Sequence, residues 1–310
     1  MKGLIAPTDF DWYQKLSTIE NLDEVNFWQP AGHRPFRSIS PGDPFFFKLK
    51  TPHNAIGGFG YYFHSSAFPA RSAWDAFGEK NGVGSYSELV DRCVRYRRNL
   101  RKPELDPGQD PEIGCVLIIH PSFFKKRDWI AQPADWQKNT IAPTTYDLTT
   151  GEGARIWSEC LNRGPGFVDV GTEGPRHGAP RIIEPRLGQG TFRLSVIDAY
   201  ARACSVTEEH SLPALEAAHI KPFSEGGPHT VRNGLLFRAD IHKLFDAGYV
   251  TVTPDKVFHV SSRLRKDWSN GRSYYPLDGK QLTIPRSSIE HPDPELLKWH
   301  NDHTFKPTGS

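Results

Sequence analysis

Residues 214–252 read ALEAAHIKPFSEGGPHTVRNGLLFRADIHKLFDAGYVTV. The apolar run at 215–220 predicts a strand, Gly226 and Gly227 mark a connecting loop, and 234–237 predict a second strand. A helix then begins near Ala239, with Asp240 as its cap or first-turn acid. His219 closes the first strand, and His242 falls on the first turn of the helix. A hairpin followed by a helix with histidines at these places can hold one metal ion between sheet and helix. His219 stands 14 residues before Asn233, and Asn233 stands 9 before His242.

Hydrolysis of a phosphodiester needs an activated water, stabilisation of the charge on the phosphorus oxygens and help for the departing 3′ oxygen. A neutral imidazole suits the first task, and a divalent cation suits the other two. The order and spacing of His219, Asn233 and His242 resemble the HNH (ββα-metal) nuclease family. The wider segment GQGTFR…AYARACSVT…LPALEAAHIKPF…GG…NGLLFRADIHKLFDAGYVTV is similar to the restriction-enzyme branch of that family. The resemblance covers residues 186–305, with GRSYYPLDG and DPELLKWHNDHTF inside it.

The resemblance implies that His219 is the general base and His242 a metal ligand. It implies that Asn233 orients His219 across the hairpin loop, so that His219, Asn233 and His242 form the catalytic set. Asp246, four residues after His242 and on the same helix face, is the second metal candidate. Many family members carry His or Asp directly before the catalytic histidine, a position held here by Ala218. Glu216 projects from the same side of the strand as Ala218 with a longer side chain, and can supply the missing carboxylate. Oxygen-rich ligation of this kind favours Mg²⁺ or Mn²⁺, with other divalent ions admissible. Blander readings stand beside these: Asp246 capping the DAGY reversal, and Glu216 pairing with Lys221 or Arg232. The core under the site is expected from Phe192, Val196, Ile197, Leu235, Leu236, Leu244 and Phe245.

A chain of 310 residues with 37% hydrophobic content has apolar material for two cores, and a net charge of +2 announces no global basic field. The four cysteines, Cys93, Cys115, Cys160 and Cys204, lie far apart, without a CxxC pair, and fit reduced thiols in a reducing cytosol. Asp9 and Asp11 stand where a signal peptide needs an apolar run, and no stretch approaches a membrane span of about 20 apolar residues, so a soluble, cytoplasmic protein is expected. The fold class expected is α+β: a small β-barrel with flanking helices at 1–148, a Gly/Pro/Arg-rich linker or arm at 149–188, and a ββα-metal domain at 189–310.

In the first zone, NFWQP, PGDPFFFKLK, IGGFGYYFHSSAF and IGCVLIIHPSFF read as strands. RSAWDAFG and SYSELVDRCVRYRRNLRK read as helices, the second capped by Ser85 or Ser87. The order NFW, a basic segment, the turn Pro41-Gly42-Asp43, FFFK and IGGFGYYF, followed by a helix with Trp74, resembles the PUA-like superfamily of EVE, YTH and ASCH domains over residues 20–148. That resemblance implies an aromatic pocket for an extruded base, with Trp28, Phe47, Tyr61, Tyr62 and Trp74 as candidate walls, although rings in small barrels are also core. Arg92, Arg95, Arg97, Arg98, Arg101 and Lys102 are six cations within eleven positions and candidate phosphate contacts, joined by Lys221 beside the hairpin.

Together these readings imply a reader of modified bases tethered to an HNH cutter: a metal-dependent, modification-dependent restriction endonuclease acting on foreign double-stranded DNA. Two alternatives remain. One is an HNH nuclease directed by sequence, structure or RNA, and the other is a non-catalytic nucleic-acid reader with a decayed site, motivated by Ala218. One site per chain makes a homodimer, or two independent nicks, the route to a double-strand break.

Overall fold

The computed structural model describes residues 1–30, 32, 36, 38–101, 103–106, 108–137, 140–163 and 188–307. The architecture is α+β, and the chain divides into two compact units, Met1–Pro185 and Arg186–Ser310.

The first unit is built on a seven-stranded sheet. Its strands are β1 (Lys2–Thr8), β2 (Glu24–Asn26), β3 (Pro44–Leu49), β4 (Ala55–Pro69), β5 (Glu112–Phe123), β6 (Ile130–Ala131) and β7 (Thr144–Asp147), and its helices are α1 (Phe10–Leu16), α2 (Ala70–Phe77), α3 (Tyr86–Asn99) and α4 (Gly151–Arg163). The pairing order is β2-β5-β4-β3-β1-β7, with β6 on β4; β1 and β3 run parallel and the other pairs are antiparallel.

Every residue of β3 is buried, so both faces of that strand are covered. Phe45, Phe47 and Leu49 alternate onto one cluster, with Trp12, Tyr13 and Leu16 of α1 and with Val116 and Ile118 of β5. Phe46 points the other way, into a cluster with Phe59, Trp136 and the α4 residues Ile156 and Cys160. The part of the expected linker at 151–163 is therefore a helix of the first unit, because its apolar stripe seals the second face of the sheet. Residues 164–187 of that linker lie outside the described residues. Ser85, not Ser87, caps α3, its hydroxyl accepting from the Glu88 N–H. All four cysteines are buried and reduced. Among the described residues no helix is long and apolar enough to cross a membrane.

The second unit contains α5 (Gln189–Ala199), β8 (Leu215–His219), β9 (Gly234–Arg238), α6 (Ala239–Asp246), β10 (Val250–Val252), β11 (Phe258–Val260), α7 (Arg263–Trp268) and α8 (Pro294–His303). β8 and β9 form an antiparallel hairpin in which His219 lies opposite Gly234 and Glu216 opposite Phe237. Of the expected core residues, Phe192, Val196, Ile197, Leu235, Leu236 and Phe245 are buried, and Leu244 is half-buried. A β-carbon at Gly234 would come within 2.5 Å of Val196 Cγ2, so α5 can lie this close to β9 only across a glycine. α8 docks on the hairpin loop: Arg232 pairs with Asp293 at 2.9 Å, and the Asp293 N–H donates to the Arg232 carbonyl at 3.0 Å. His300 of α8 stacks on Phe245 of α6 with centroids 3.7 Å apart.

Candidate active site

The hairpin loop is closed by one side chain. Asn233 is fully buried, and its Oδ1 accepts from the Lys221 N–H at 2.9 Å. Its Nδ2 donates to the carbonyls of Lys221 at 2.9 Å and Pro228 at 2.8 Å. The Asn233 main-chain carbonyl takes the Ile220 N–H at 2.9 Å. All three donor and acceptor positions used by the side chain are main-chain groups, which is how a buried amide fixes a loop without leaving polar atoms unsatisfied. A β-carbon at Gly227 would come within 1.9 Å of the Lys221 carbonyl oxygen, so the second glycine of the GG pair is required by this closure.

Immediately before the clamp, the His219 ring stacks on Phe192 of α5, with centroids 3.9 Å apart and planes 10° from parallel. Burial is the main reason its pKa falls to about 4, and the neighbouring His229 and His242 push in the same direction. His219 is therefore neutral at physiological pH, the state in which an imidazole accepts a proton. Its Nε2 is buried and, among the described residues, has no hydrogen-bond partner.

Across the hairpin, His242 of α6 is held between two carboxylates. Its Nδ1 lies 2.7 Å from Glu216 Oε2, and its Nε2 lies 3.3 Å from Asp246 Oδ2. The Asp246 carboxyl is pushed up by burial and further by the Glu216 charge, with His242 opposing both. Two carboxylates and an imidazole are a suitable donor set for a hard divalent cation. As placed, both carboxylates point at the ring, and among the described residues no three His, Cys, Asp or Glu groups converge on one point.

The sequence-derived residues thus fall into two adjacent groups, His219 with Asn233 and Glu216 with His242 and Asp246. Glu216 pairs with neither Lys221 nor Arg232. Lys221 lies over the Trp299 ring at 5.2 Å, and Arg232 is taken by Asp293. Asp240 is not the helix cap. Arg238 occupies that position, and Asp240 sits in the first turn, accepting from the Arg238 guanidinium and the Tyr274 hydroxyl, which hold its carboxyl below the usual range.

One residue was missed from the sequence. His229, on the loop, meets His219 edge to face, with centroids 5.2 Å apart and planes at 65°. It also meets Phe223 at 4.5 Å. The signal was the Pro228-His229 pair directly after GG, inside the stretch whose ends carry the chemistry.

In the first unit the five expected pocket walls are not brought together. Phe47 is fully buried and Tyr62 is 7% exposed, and both belong to the cluster packed on α1. Tyr61 is next to Tyr62 in an extended strand, faces the opposite side and packs on the α4 cluster, where burial pushes its hydroxyl up to about 12. Trp28 is half-buried, its indole N–H donating to the Asn81 carbonyl at 2.9 Å, and Trp74 is half-buried on α2. Phe47 and Tyr62 are core, because alternation on β3 and β4 turns them into the α1 cluster. Two open clefts of about 400 and 480 Å³ lie elsewhere, one between α3 and residues 103–106 with Gly108 and Gln109, the other around Asp135, Thr144 and Tyr146, and neither is lined by any of the five.

The basic run is also divided. Arg92 is bound to Glu88 at 2.7 Å, and Arg97 donates to the Pro103 carbonyl at 3.2 Å. Arg95, Arg98 and Arg101 are exposed, with Glu104 no nearer than 3.9 Å to Arg98. Lys102 lies outside the described residues.

Residues 204–253 match the family model described as HNH endonuclease. No curated protein matches the chain. Among solved structures, the ASCH protein from Zymomonas mobilis is similar at 12% identity and a TM-score of 0.31, covering 50% of this chain and 94% of its own. A mutant of that protein gives 11% identity and a TM-score of 0.32, covering 51% of this chain and 98% of its own. A structure described as the modification-dependent TagI restriction endonuclease gives 12% identity and a TM-score of 0.26, covering 96% of this chain and 80% of its own. These structural likenesses are too low to carry an argument. The chain contains an HNH endonuclease module at residues 204–253.

Proposed function

We propose that the HNH endonuclease module at residues 204–253 cleaves DNA in a divalent-metal-dependent reaction with His219 as general base, and that the first unit makes cleavage depend on a modified base. The observation carrying this reading is a half-buried, neutral imidazole with a buried Nε2, stacked on the Phe192 ring at the hairpin end that Asn233 clamps, beside the Glu216–His242–Asp246 group. In the reaction, His219 takes a proton from water as the water oxygen bonds to phosphorus, and the bond from phosphorus to the 3′ oxygen breaks, that oxygen leaving with a proton from solvent. Glu216, His242 and Asp246 would hold the ion, Mg²⁺ or Mn²⁺. When bound, it supplies charge stabilisation to the phosphoryl oxygens and the leaving group. Asn233 keeps the His219 end of the hairpin fixed, so that little reorganisation is needed as the proton moves.

The proposed setting is restriction of foreign DNA in the cytoplasm. The proposed division of labour is a reader at 1–148 extended by α4 and the nuclease at 189–310. Double-strand cleavage then requires a homodimer or two separate nicks. Arg95, Arg98 and Arg101 remain as exposed phosphate contacts, with Lys221 beside the catalytic hairpin. Trp28, Tyr61 and Trp74 remain as half-buried rings for a base.

A second reading, a nuclease indifferent to modification, is favoured by the placement of Phe47 and Tyr62 in one core cluster and Tyr61 against another. One experiment separates the readings. Matched plasmid or phage DNA, unmodified or carrying 5-methylcytosine, 5-hydroxymethylcytosine or glucosylated cytosine, is incubated with Mg²⁺ or Mn²⁺, with His219→Ala as control. Cleavage confined to one modified substrate and lost in the variant supports the full proposal. Equal cleavage of all substrates leaves a nuclease without a modified-base reader, and no cleavage with any ion removes the catalytic reading.

A further inference from the structure

The clamp holds more than His219. Asn233 bonds to Lys221, two residues after His219, and to Pro228, the residue immediately before His229. A single buried amide therefore fixes the main chain beside both imidazoles. The three ring-centroid separations, 3.9 Å from His219 to Phe192, 5.2 Å from His219 to His229 and 6.4 Å from Phe192 to His229, put His229 at about a right angle to the stack. Phe192 covers a face of the His219 ring, and His229 stands off its edge. Phe223 closes the far side of His229 at 4.5 Å.

We propose that His229 is a second catalytic imidazole of this centre, contacting a non-bridging oxygen of the phosphodiester attacked through His219. The proposal rests on the nuclease reading above. A water bound to His219 at about 2.8 Å, with its oxygen roughly 3–3.5 Å from phosphorus, puts the phosphorus within about 6 Å of the base. A ring centred 5.2 Å from His219, off its edge and half-buried on the same loop, reaches an oxygen of that phosphate. An imidazole N–H is a suitable donor to an anionic oxygen, and here it is positioned before substrate arrives. His242 and Asp246 sit on α6 and His229 on the hairpin loop, so the two imidazoles address different oxygens of one phosphate.

A packing role for His229 between His219 and Phe223 would be preserved by phenylalanine, and a hydrogen-bonding role by glutamine. The full-length His229→Phe and His229→Gln variants are compared with the unsubstituted chain in single-turnover DNA cleavage, with melting temperatures showing that each is folded. In parallel, the imidazole NMR signals of the intact protein are followed during titration with dimethyl phosphate, a diester that reads contact without needing turnover. The expected result is a 100-fold or greater fall in rate for His229→Phe with KM changed less than threefold, at least tenfold recovery in His229→Gln, and His229 signals that shift with the diester. Wild-type cleavage by His229→Phe would overturn the proposal, as would His229 signals unmoved by saturating diester. If the unsubstituted chain cleaves nothing, the nuclease reading fails by itself and the titration still decides whether His229 meets a phosphodiester.

Discussion

The hairpin of the second unit and the central strands of the first bury their interiors in opposite ways. Around the hairpin, polar groups buried beside an apolar core are individually matched: Asn233 to three main-chain partners, and His300 of α8 to the Thr251 hydroxyl and the Phe245 carbonyl. In β3 and β4 the buried groups are rings packed on rings, such as Phe47 against Phe123, with centroids 5.1 Å apart and planes at 7°. A matched polar group tolerates few replacements, because a missing partner leaves an unsatisfied buried atom. A packed ring is defined by volume, which many sequences can supply. The hairpin therefore displays chemistry at fixed spacings, whereas an aromatic strand displays mainly its need for a core.

The largest effect tests the polar side of this contrast. His219→Ala removes the proposed base while leaving the clamp untouched, and the cleavage rate should fall by about 10³-fold, within the usual span for general-base removal. Supercoiled-plasmid nicking measures the rate, and an unchanged melting temperature shows that chemistry, not folding, was lost. A variant that still cut at a tenth of the normal rate would remove His219 from the base role.

Phe47→Ala tests the other side. Phe47 was a candidate wall for a base, but it is fully buried among Trp12, Phe27, Phe45 and Phe123. Truncation should destabilise the first unit by about 3–5 kcal/mol through the cavity left behind, as for other buried Phe→Ala changes. Denaturant unfolding reads this directly. A stable variant with a specific loss of DNA binding would restore Phe47 to a pocket.

How much was legible follows the same division. The strand–loop–strand–helix order at 214–252 came from the sequence with its boundaries displaced by a residue or so, since glycine pairs and apolar runs are local signals. Glu216 could be named because strand alternation constrains side, and the structure puts its carboxylate on His242. His229 was not legible, because its importance lies in a loop fold that brings positions 219 and 229 within 5.2 Å, and that closure depends on a long-range amide clamp. The helix at 151–163 fell inside the expected linker or arm at 149–188. Its Gly-rich start suggested an arm, yet the exposed second face of the sheet, visible only once the strands are assembled, supplied the reason for it to dock.

Acid should separate the matched polar interior further. His300 is 2% exposed, and its Nε2–H donates to the Phe245 carbonyl while Nδ1 accepts from Thr251. Burial lowers its pKa from the ordinary 6.5 to about 4, against the smaller upward pull of that carbonyl. Below pH 6.5 the unfolded chain takes up a proton that the folded chain refuses, so stability present above that pH is lost as pH falls toward 4. The slope is at most about 1.4 kcal/mol per pH unit for this residue, with His219 adding in the same direction. Calorimetry from pH 7 to pH 4.5 should show the falling transition, and His300→Gln should flatten it. A transition of the second unit that holds constant across this range would show that the buried imidazole is not held neutral.

The smallest effect concerns the exposed cations of α3 and the residues just after it. Arg95, Arg98 and Arg101 project into solvent, whereas Arg92 and Arg97 are engaged within the unit. Replacing the three exposed arginines with glutamine should weaken DNA binding by roughly 1 kcal/mol or less per residue at moderate salt. It should also make the dependence of log affinity on log salt shallower by up to about 2.7, the slope expected for three phosphate contacts. Arg92→Gln should leave that slope unchanged and lower stability slightly, because its charge is already spent on Glu88. Equal salt slopes for the triple variant and the parent would mean that the basic run is a solvated helix face, and the phosphate contacts would then have to be sought on the nuclease unit.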